Sequence, residues 1–559
     1  MSLGATTPGL VLGPMLRFVG ETQATVWVEA SAACEVEVLG RAARTFHVAG
    51  HHYALVVLDR LEPGRAYEYE VRLDGVRAWP EPGSGFPPSV LRTLDRGAPL
   101  RLVFGSCRIA APNGPPWTLA PTKDQRGRGV DALHAYALRL AGTPAAQRPE
   151  LLLLLGDQVY ADDTSPATRA FIRSRRDPRR PPGLQVADFE EYTRLYQETW
   201  SDPAVRWLCS TLPSAMILDD HDVHDDWNVS AAWVAEMRQT SWWEERVTGG
   251  LAAYWCYQHL GNLSPAELAA DPVLGAARDA TDAWPLLRSA ARRWDRERHG
   301  PGFSYARDLG TVRLVVVDSR CARVLDDGRR EMVDGAQWRL VDRQLAGDVD
   351  HLLVATSLPF LLAPGAHHLE AWSDAVCAGA WGAAMARVGE RLRRAIDLEH
   401  WPAFRASFDR LAAALAEVGA GRRGTPPSSI LLLSGDVHYA YLARCQFPGR
   451  AGVRSPVVQV VCSPLRNPLG RRFRLATRLA MARPVGWAWR VIARLAGVPA
   501  PTLRWRVVRG PRFENQVATL ELDGGAASVR IERAAPLVDG GAPELVPTIE
   551  QRLAPGPVG

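Results

Sequence analysis

Residues 151–155 are five consecutive leucines, and they run without a break into Gly-Asp-Gln-Val-Tyr-Ala-Asp-Asp, residues 156–163. A strand that is apolar on both faces has no side to give to solvent, so it belongs inside a sheet covered on both sides. The same habit recurs from about residue 99 onward, in LRLVFGSC, SAMILDD, VRLVVVDSR, HLLVATSLPF, SILLLSGDVH and VVQVVC. Between these runs lie stretches of helical period such as VDALHAYALRLAG, FEEYTRLYQETW and AQWRLVDRQLAG. Apolar strands alternating with amphipathic helices predict an α/β fold.

The first 95 residues read differently. MLRFVG, ATVWVEA, CEVEVLG, YALVVLDRL and AYEYEVRL have period 2 and are separated by turn residues, which predicts a small all-β domain. The run LDRLEPGRAYEYEVRLDG resembles the strand–turn–strand signature of fibronectin type III-like sandwiches. The expected organisation is therefore a β-sandwich over 1–95, with the Pro-rich stretch 80–89 as a linker, and a catalytic domain over 99–559. Within the latter, 361–425 reads as a helical insertion and 470–498 as a basic, amphipathic segment broken at Pro484. The basic segment suits a membrane-surface or lid role, or simply a helical cover.

Charge and cysteine usage exclude several classes. A net charge of +5 on 559 residues gives little support to nucleic-acid binding. The eight cysteines include no CxxC pair, which argues against a zinc ribbon or a disulfide scaffold. No apolar run long enough to span a bilayer occurs, and the N-terminus shows neither a secretion signal nor twin arginines. The expectation is a cytoplasmic protein acting on a small molecule.

The chemistry collects where polar residues follow strands. Ser106 and Cys107 close LRLVFG; Asp157 and Tyr160 follow the leucines; Asp219, Asp220, His221 and Asp222 follow SAMIL; Asp318 and Arg320 follow VRLVVV; Asp436 and His438 follow ILLL. In α/β sheets the carboxyl ends of the strands converge on one crevice. Carboxylates gathered there raise one another's pKa unless protons, arginines or cations neutralise them, and cations are the simpler solution. Each fragment alone is an ordinary turn; their joint occurrence at strand ends is what points to a site.

In order along the chain, FGSCR (104–108), GDQVYAD (156–162), LDDHDVHDDWN (218–228), VVDSR (316–320) and LSGDVHYA (433–440) resemble the motif series of PhoD-like alkaline phosphatases, within the calcineurin-like metallophosphoesterase superfamily. GDxxY is shared with purple acid phosphatases, where the tyrosine binds ferric iron. The resemblance implies a metallophosphoesterase-type β-sandwich core flanked by helices and a binuclear centre of Fe(III) with Ca(II), other divalent metals being open. It implies that Asp157 bridges two metals and that Cys107, Tyr160 and His438 ligate the iron. Asp220 and Asp436 then stand where the superfamily has an asparagine and a histidine, and bind the second metal. His221 would assist the leaving group, oriented by Asp222, and Arg320 would clamp phosphate oxygens.

The sequence also departs from the superfamily. GSC replaces its first DxH motif, as in PhoD-type members, and VATSLPF stands where a metal-binding histidine is usual. Asp225, Asp226 and Asn228 are further candidates for the second metal, whereas His367 and His368 read as structural or substrate-lining. The implied activity is hydrolysis of phosphate esters by a metal-held hydroxide. Phosphomonoesters are the expected substrates, with phosphodiesterase activity of phospholipase D type as the alternative. A third reading is a non-enzymatic carbohydrate- or protein-binding module, which a damaged ligand set would favour; no such damage is seen.

Overall fold

A computed structural model of the chain describes residues 7–297, 302–326, 329–536 and 542–555. The extreme ends of the two expected domains, 1–6 and 556–559, lie outside the described residues. The fold is mixed α/β, with an all-β region at the N-terminus.

Two large sheets carry the second part. In the first, the strands Leu100–Gly105, Leu151–Leu155 and Ser214–Ile217 are parallel, and the C-terminal strands Gln516–Asp523, Ala526–Ala535 and Glu544–Ala554 extend it antiparallel beyond Leu100–Gly105. In the second, Val312–Val317, His351–Thr356, Ser429–Ser434 and Val457–Val461 are parallel neighbours. Alternation along these strands assigns each face. Leu314, Val316, Leu353, Leu431 and Val460 share one core with Leu102, Phe104 and Leu153 of the first sheet. Val315, Val317, Leu352, Ile430 and Leu432 face the other way, onto Phe404, Phe408, Leu411 and Leu415 around the helix Arg405–Gly419. The apolar runs are continuous because both faces are covered. All five leucines of 151–155 are at most 1% exposed, a burial that contributes on the order of 10 kcal/mol.

Parallel register brings the strand tips together. Gly105 pairs with Leu154, and Leu155 with Ile217, so the residues that follow, 106–107, 156–157 and 218–220, emerge at one end. The tips of the second sheet meet them there. A Cβ on Gly435 would lie 2.0 Å from Ser106 Oγ, and one on Gly156 would lie 2.6 Å from Asp219 Cβ and 3.2 Å from Ser357 Cβ. These two glycines are dictated by close approach of one tip to another, and Gly156 also has φ +98°.

The expected helices and strands stand close to where the sequence puts them, including Gly382–Ala395 and Arg405–Gly419 in the insertion and the C-terminal hairpin. The helices between 231 and 296 are not among those expected, although Trp284–Arg296 is amphipathic and Ser264 with Glu267 forms a capping box at the start of Pro265–Ala270. Trp243–Tyr257, the longest of them, is buried almost throughout and carries Gly249 and Gly250 mid-helix, so it shows no polar stripe. Gly249 is needed there, since a Cβ would lie 2.7 Å from Phe189 N. Among the described residues no helix is long and apolar enough to cross a membrane.

The N-terminal region does not hang on a linker. One face of its sheet Leu10–Val19, Ala24–Ala30, His51–Leu58 and Phe46–Val48 closes a small core of its own around Val26, Val36, Val56 and Trp79. The opposite face, with Met15, Trp27, Tyr53 and Leu55, belongs to the large core of the second part. Trp27 Nε1 donates to Cys256 O at 2.9 Å. The Pro-rich stretch read as a linker is itself docked: Phe86 stacks on Trp207 at 5.5 Å, and Trp207 Nε1 donates to Pro87 O at 2.8 Å.

His51 ties the two parts electrostatically, with Nδ1 2.8 Å from Glu29 Oε1 and Nε2 2.9 Å from Glu190 Oε2. Burial works against its imidazolium, but the hydrogen bonds and charges of Glu190 and Glu29 outweigh burial and raise it to about 9. A raised histidine stabilises the fold fully below its unfolded value near 6.5 and loses that contribution as pH rises through 9. Urea unfolding should therefore show about 2 kcal/mol lost between pH 6 and 10, after discounting for the half-exposed Glu190, and His51→Gln should remove that slope.

Candidate metal centre

The site forms where the tips of both sheets converge. Cys107 N donates to Gly156 O at 3.2 Å and Arg108 N to Asp157 O at 3.0 Å, which laces the first two tips. Ala161 N donates to His221 O at 2.9 Å, lacing the second to the third. Asp436 N donates to Ser106 Oγ at 3.1 Å, joining the two sheets. Cys107, Asp157, Asp436 and His438 all have φ between 51° and 63°, a left-handed conformation that non-glycine residues adopt at a cost.

Two groups of donors share a member, and a third, separate one joins Asp162, His221 and Asp225. Ligand atoms of Cys107, Asp157 and His438 all lie within 4.8 Å of one another, and so do those of Asp157, Asp219 and Asp220. Tyr160 OH is 3.4 Å from Asp157 Oδ2. Asp157 Oδ1 and Asp219 Oδ2 are buried without a hydrogen-bond partner among the described residues. Such oxygens are expensive unless something positive faces them. The donor set fits cations: thiol, phenol, imidazole and carboxylate on one side, carboxylates alone on the other.

Electrostatics agree. Burial, then the charges of Asp157 and Asp436, push the Cys107 thiol up; burial, then Asp157 and Cys107, do the same to the Tyr160 phenol. Burial is also the main cause of the raised Asp157 carboxyl, with Asp219, Asp220 and Asp222 adding to it and His221 opposing it. A bound cation is the agent that reverses such shifts. His438 is pushed down to about 4 by burial, which leaves a neutral ring with a lone pair to offer.

Two expected roles need correction. Asp222 does not orient His221. Its Oδ2 accepts from Asp157 N at 3.0 Å and Asp219 N at 2.8 Å, and its Oδ1 from Gln158 N and Val159 N, both at 3.2 Å. It fixes the backbone of residues 157–159 and of Asp219 in place. The partner of His221 is Asp162, with Oδ1 2.9 Å from Nδ1, and the ring lies 4.7 Å from that of Tyr160. Burial disfavours the His221 imidazolium, but Asp162 and then Asp220 raise it well above its ordinary value. Arg320 is no open phosphate clamp either. It is fully buried, and its guanidinium is taken up by Asp219, Asp220 and Glu399.

Asp436 carries its carboxylate beside a residue the sequence did not single out, with Oδ2 2.8 Å from His400 Nε2. His400 Nδ1 is in turn 2.6 Å from Glu370 Oε1. Both come from the helical insertion, and their separation along the chain gave no motif to read. Asp162 could have been found, since it is the last residue of the quoted GDQVYAD. Asp225 Oδ1 is 3.7 Å from His221 Nε2, Asp226 N donates to Asp220 Oδ2 at 3.0 Å, and Asn228 Nδ2 donates to Arg320 O at 3.1 Å. His367 packs on Trp505 at 4.2 Å between ring centroids and has a structural place.

Replacing Asp222 by Ala strands four buried backbone N–H groups. Denaturant unfolding should show a loss of about 3–5 kcal/mol, far above the usual effect of a polar truncation.

Residues 134–271 match the model of the family described as PhoD-like phosphatase, and residues 7–91 match one described as a domain of unknown function, DUF7800. No curated protein matches the sequence. Among solved structures, one titled "Structure of PhoD" superposes with a TM-score of 0.56 at 12% identity, covering 99% of this chain and 92% of that one. A maltogenic amylase from S. marinus reaches a TM-score of only 0.16 at 8% identity, over 93% of this chain and 76% of that one, and carries no argument. Residues 134–271 thus match the PhoD-like phosphatase family, and the fold is shared with PhoD along nearly the whole chain.

Proposed function

We propose that this chain is a metal-dependent phosphoesterase with two adjacent cation sites, acting on phosphomonoesters. The observation that carries the reading is that Asp157 is common to both donor triads, the arrangement a bridging carboxylate requires. Cys107, Tyr160 and His438, with Asp157, would hold a ferric iron; Asp157, Asp219, Asp220 and Asp436 would hold a harder ion such as calcium. When bound, such a pair neutralises phosphoryl oxygens and activates water as a nucleophile.

The chain's own residues do the rest. Arg320 pairs with Asp219 Oδ1 and Asp220 Oδ1, which leaves Asp219 Oδ2 without a partner among the described residues. His400, backed by Glu370, orients Asp436. His221, kept protonated by Asp162, is at the margin of the cluster with about a quarter of its side chain exposed, where it can give a proton to a leaving oxygen. In this reading the two-sheet core is the metallophosphoesterase-type sandwich, 1–95 is the fibronectin type III-like domain, and 99–559 is the catalytic unit.

The purified protein should contain iron and be coloured, and it should hydrolyse p-nitrophenyl phosphate faster than the bis-ester. A colourless, iron-free and fully active preparation refutes the Tyr160 assignment. Asp157→Asn should abolish turnover with the thermal melt little changed. In Asp162→Asn, turnover should fall by roughly 10²-fold or more, and the alkaline limb of the pH profile should move to lower pH, because His221 then loses its proton earlier. An unmoved profile would remove His221 from the proton-transfer role.

A further inference from the structure

Charge is unevenly distributed along this chain. No aspartate or glutamate occurs between Asp436 and Glu514, a span that holds fifteen arginines. Since the whole chain is only +5, the remainder is net negative. Seven of those arginines lie on the helical hairpin Arg471–Met481 and Arg483–Leu495.

The same hairpin gathers exposed apolar side chains. Phe473, Leu475, Leu479, Trp487 and Leu495 are 54–73% exposed, and only Val76 among the other described large apolar residues is as exposed. Helical spacing sets Arg471, Leu475 and Leu479 on one line, and Arg483, Trp487, Arg490 and Arg494 on another. A solvent-facing apolar stripe of this kind marks an interaction surface.

The inner side of the hairpin is firmly seated. A Cβ on Gly365 would lie 2.9 Å from Ala480 O, and one on Gly486 would lie 2.8 Å from Pro364 Cβ, so the hairpin crosses the helix Pro364–Cys377 in close contact. The guanidinium groups of Arg474 and Arg478 lie over the Phe513 ring at 5.6 and 5.4 Å. Beside Trp487 opens a cavity of about 330 Å³, lined by Arg483, Arg490, Arg494 and Arg504 with Trp487 and Trp505, and by no carboxylate. His368 in its wall is pushed down to about 4, by burial first and then by Arg490, Arg405 and Arg494, a sign of the positive field there.

We propose that residues 471–495 form a docking element for the surface of anionic phospholipid bilayers. Phe473, Leu475, Leu479 and Trp487 enter the headgroup layer, and the arginine-lined cavity receives a headgroup phosphate. Helices of 11 and 13 residues are too short to span a bilayer and suit its plane. Arginines interleaved with apolar residues, and no acid among them, match an anionic leaflet better than a protein partner. Each basic residue near such a surface raises partitioning roughly fivefold.

The test is co-sedimentation of the full chain with vesicles of phosphatidylcholine alone or of phosphatidylcholine and phosphatidylglycerol in equal parts. Sedimentation is expected only with the second, weakening as salt is raised. Arg490→Glu with Arg494→Glu should lower partitioning roughly a hundredfold, and Trp487→Ser roughly fivefold, each with the parent's melting temperature. Sedimentation with neither vesicle, or equally with both, overturns the proposal. So does a solution dimer that Trp487→Ser dissociates in the absence of vesicle binding.

Discussion

Burying carboxylates where parallel strands end is the constraint on which the rest of this molecule turns. Asp157, Asp219, Asp220, Asp222 and Asp318 are all at most 5% exposed, and each needs something positive or a donor against it. The chain answers in two ways. Asp222 and Asp318 are spent on backbone N–H groups, Asp318 accepting from Phe303, Arg320 and Cys321. Asp219 and Asp220 share Arg320. Asp157 alone has neither an arginine nor a full set of donors, and it is the residue common to both triads. Sorting the acids by what compensates them thus separates scaffold from site.

The scaffold holds an unfavourable backbone as well. Four residues of the cluster adopt left-handed φ, at about 1–3 kcal/mol each. Only strongly over-determined strands can hold such tips, and here the leucine strand and its parallel neighbours are dry on both faces. Packing in the sheets therefore stabilises what the site makes costly, and Gly156 and Gly435 let one tip pass another.

The helical insertion participates in this site rather than decorating it. Glu399 closes the cage around Arg320 and Arg323, and the Glu370–His400 pair reaches Asp436. The helix that carries Glu370, Pro364–Cys377, also seats the basic hairpin through Gly365 and Gly486. One helix is thus the common support of the Asp436 side of the cluster and of the arginine-rich surface.

The sequence by itself determined the α/β class, the strands and the order of the motifs, because apolar period and strand-end polarity are local. It also placed Cys107, Asp157, Tyr160, Asp220, Asp436 and His438 at strand tips. What it could not decide is which acid faces which group. Asp162 rather than Asp222 holds His221, and Arg320 turns inward to Asp219 and Glu399, because those pairings depend on how loops cross after two sheets pack. His400 was invisible for the same reason: it lies 36 residues from Asp436, and only the fold of the insertion brings its ring to that carboxylate. The docked N-terminal region makes the point again. Its strands were legible, but one of their faces is buried by residues some two hundred positions away, and only tertiary packing decides where such a face goes.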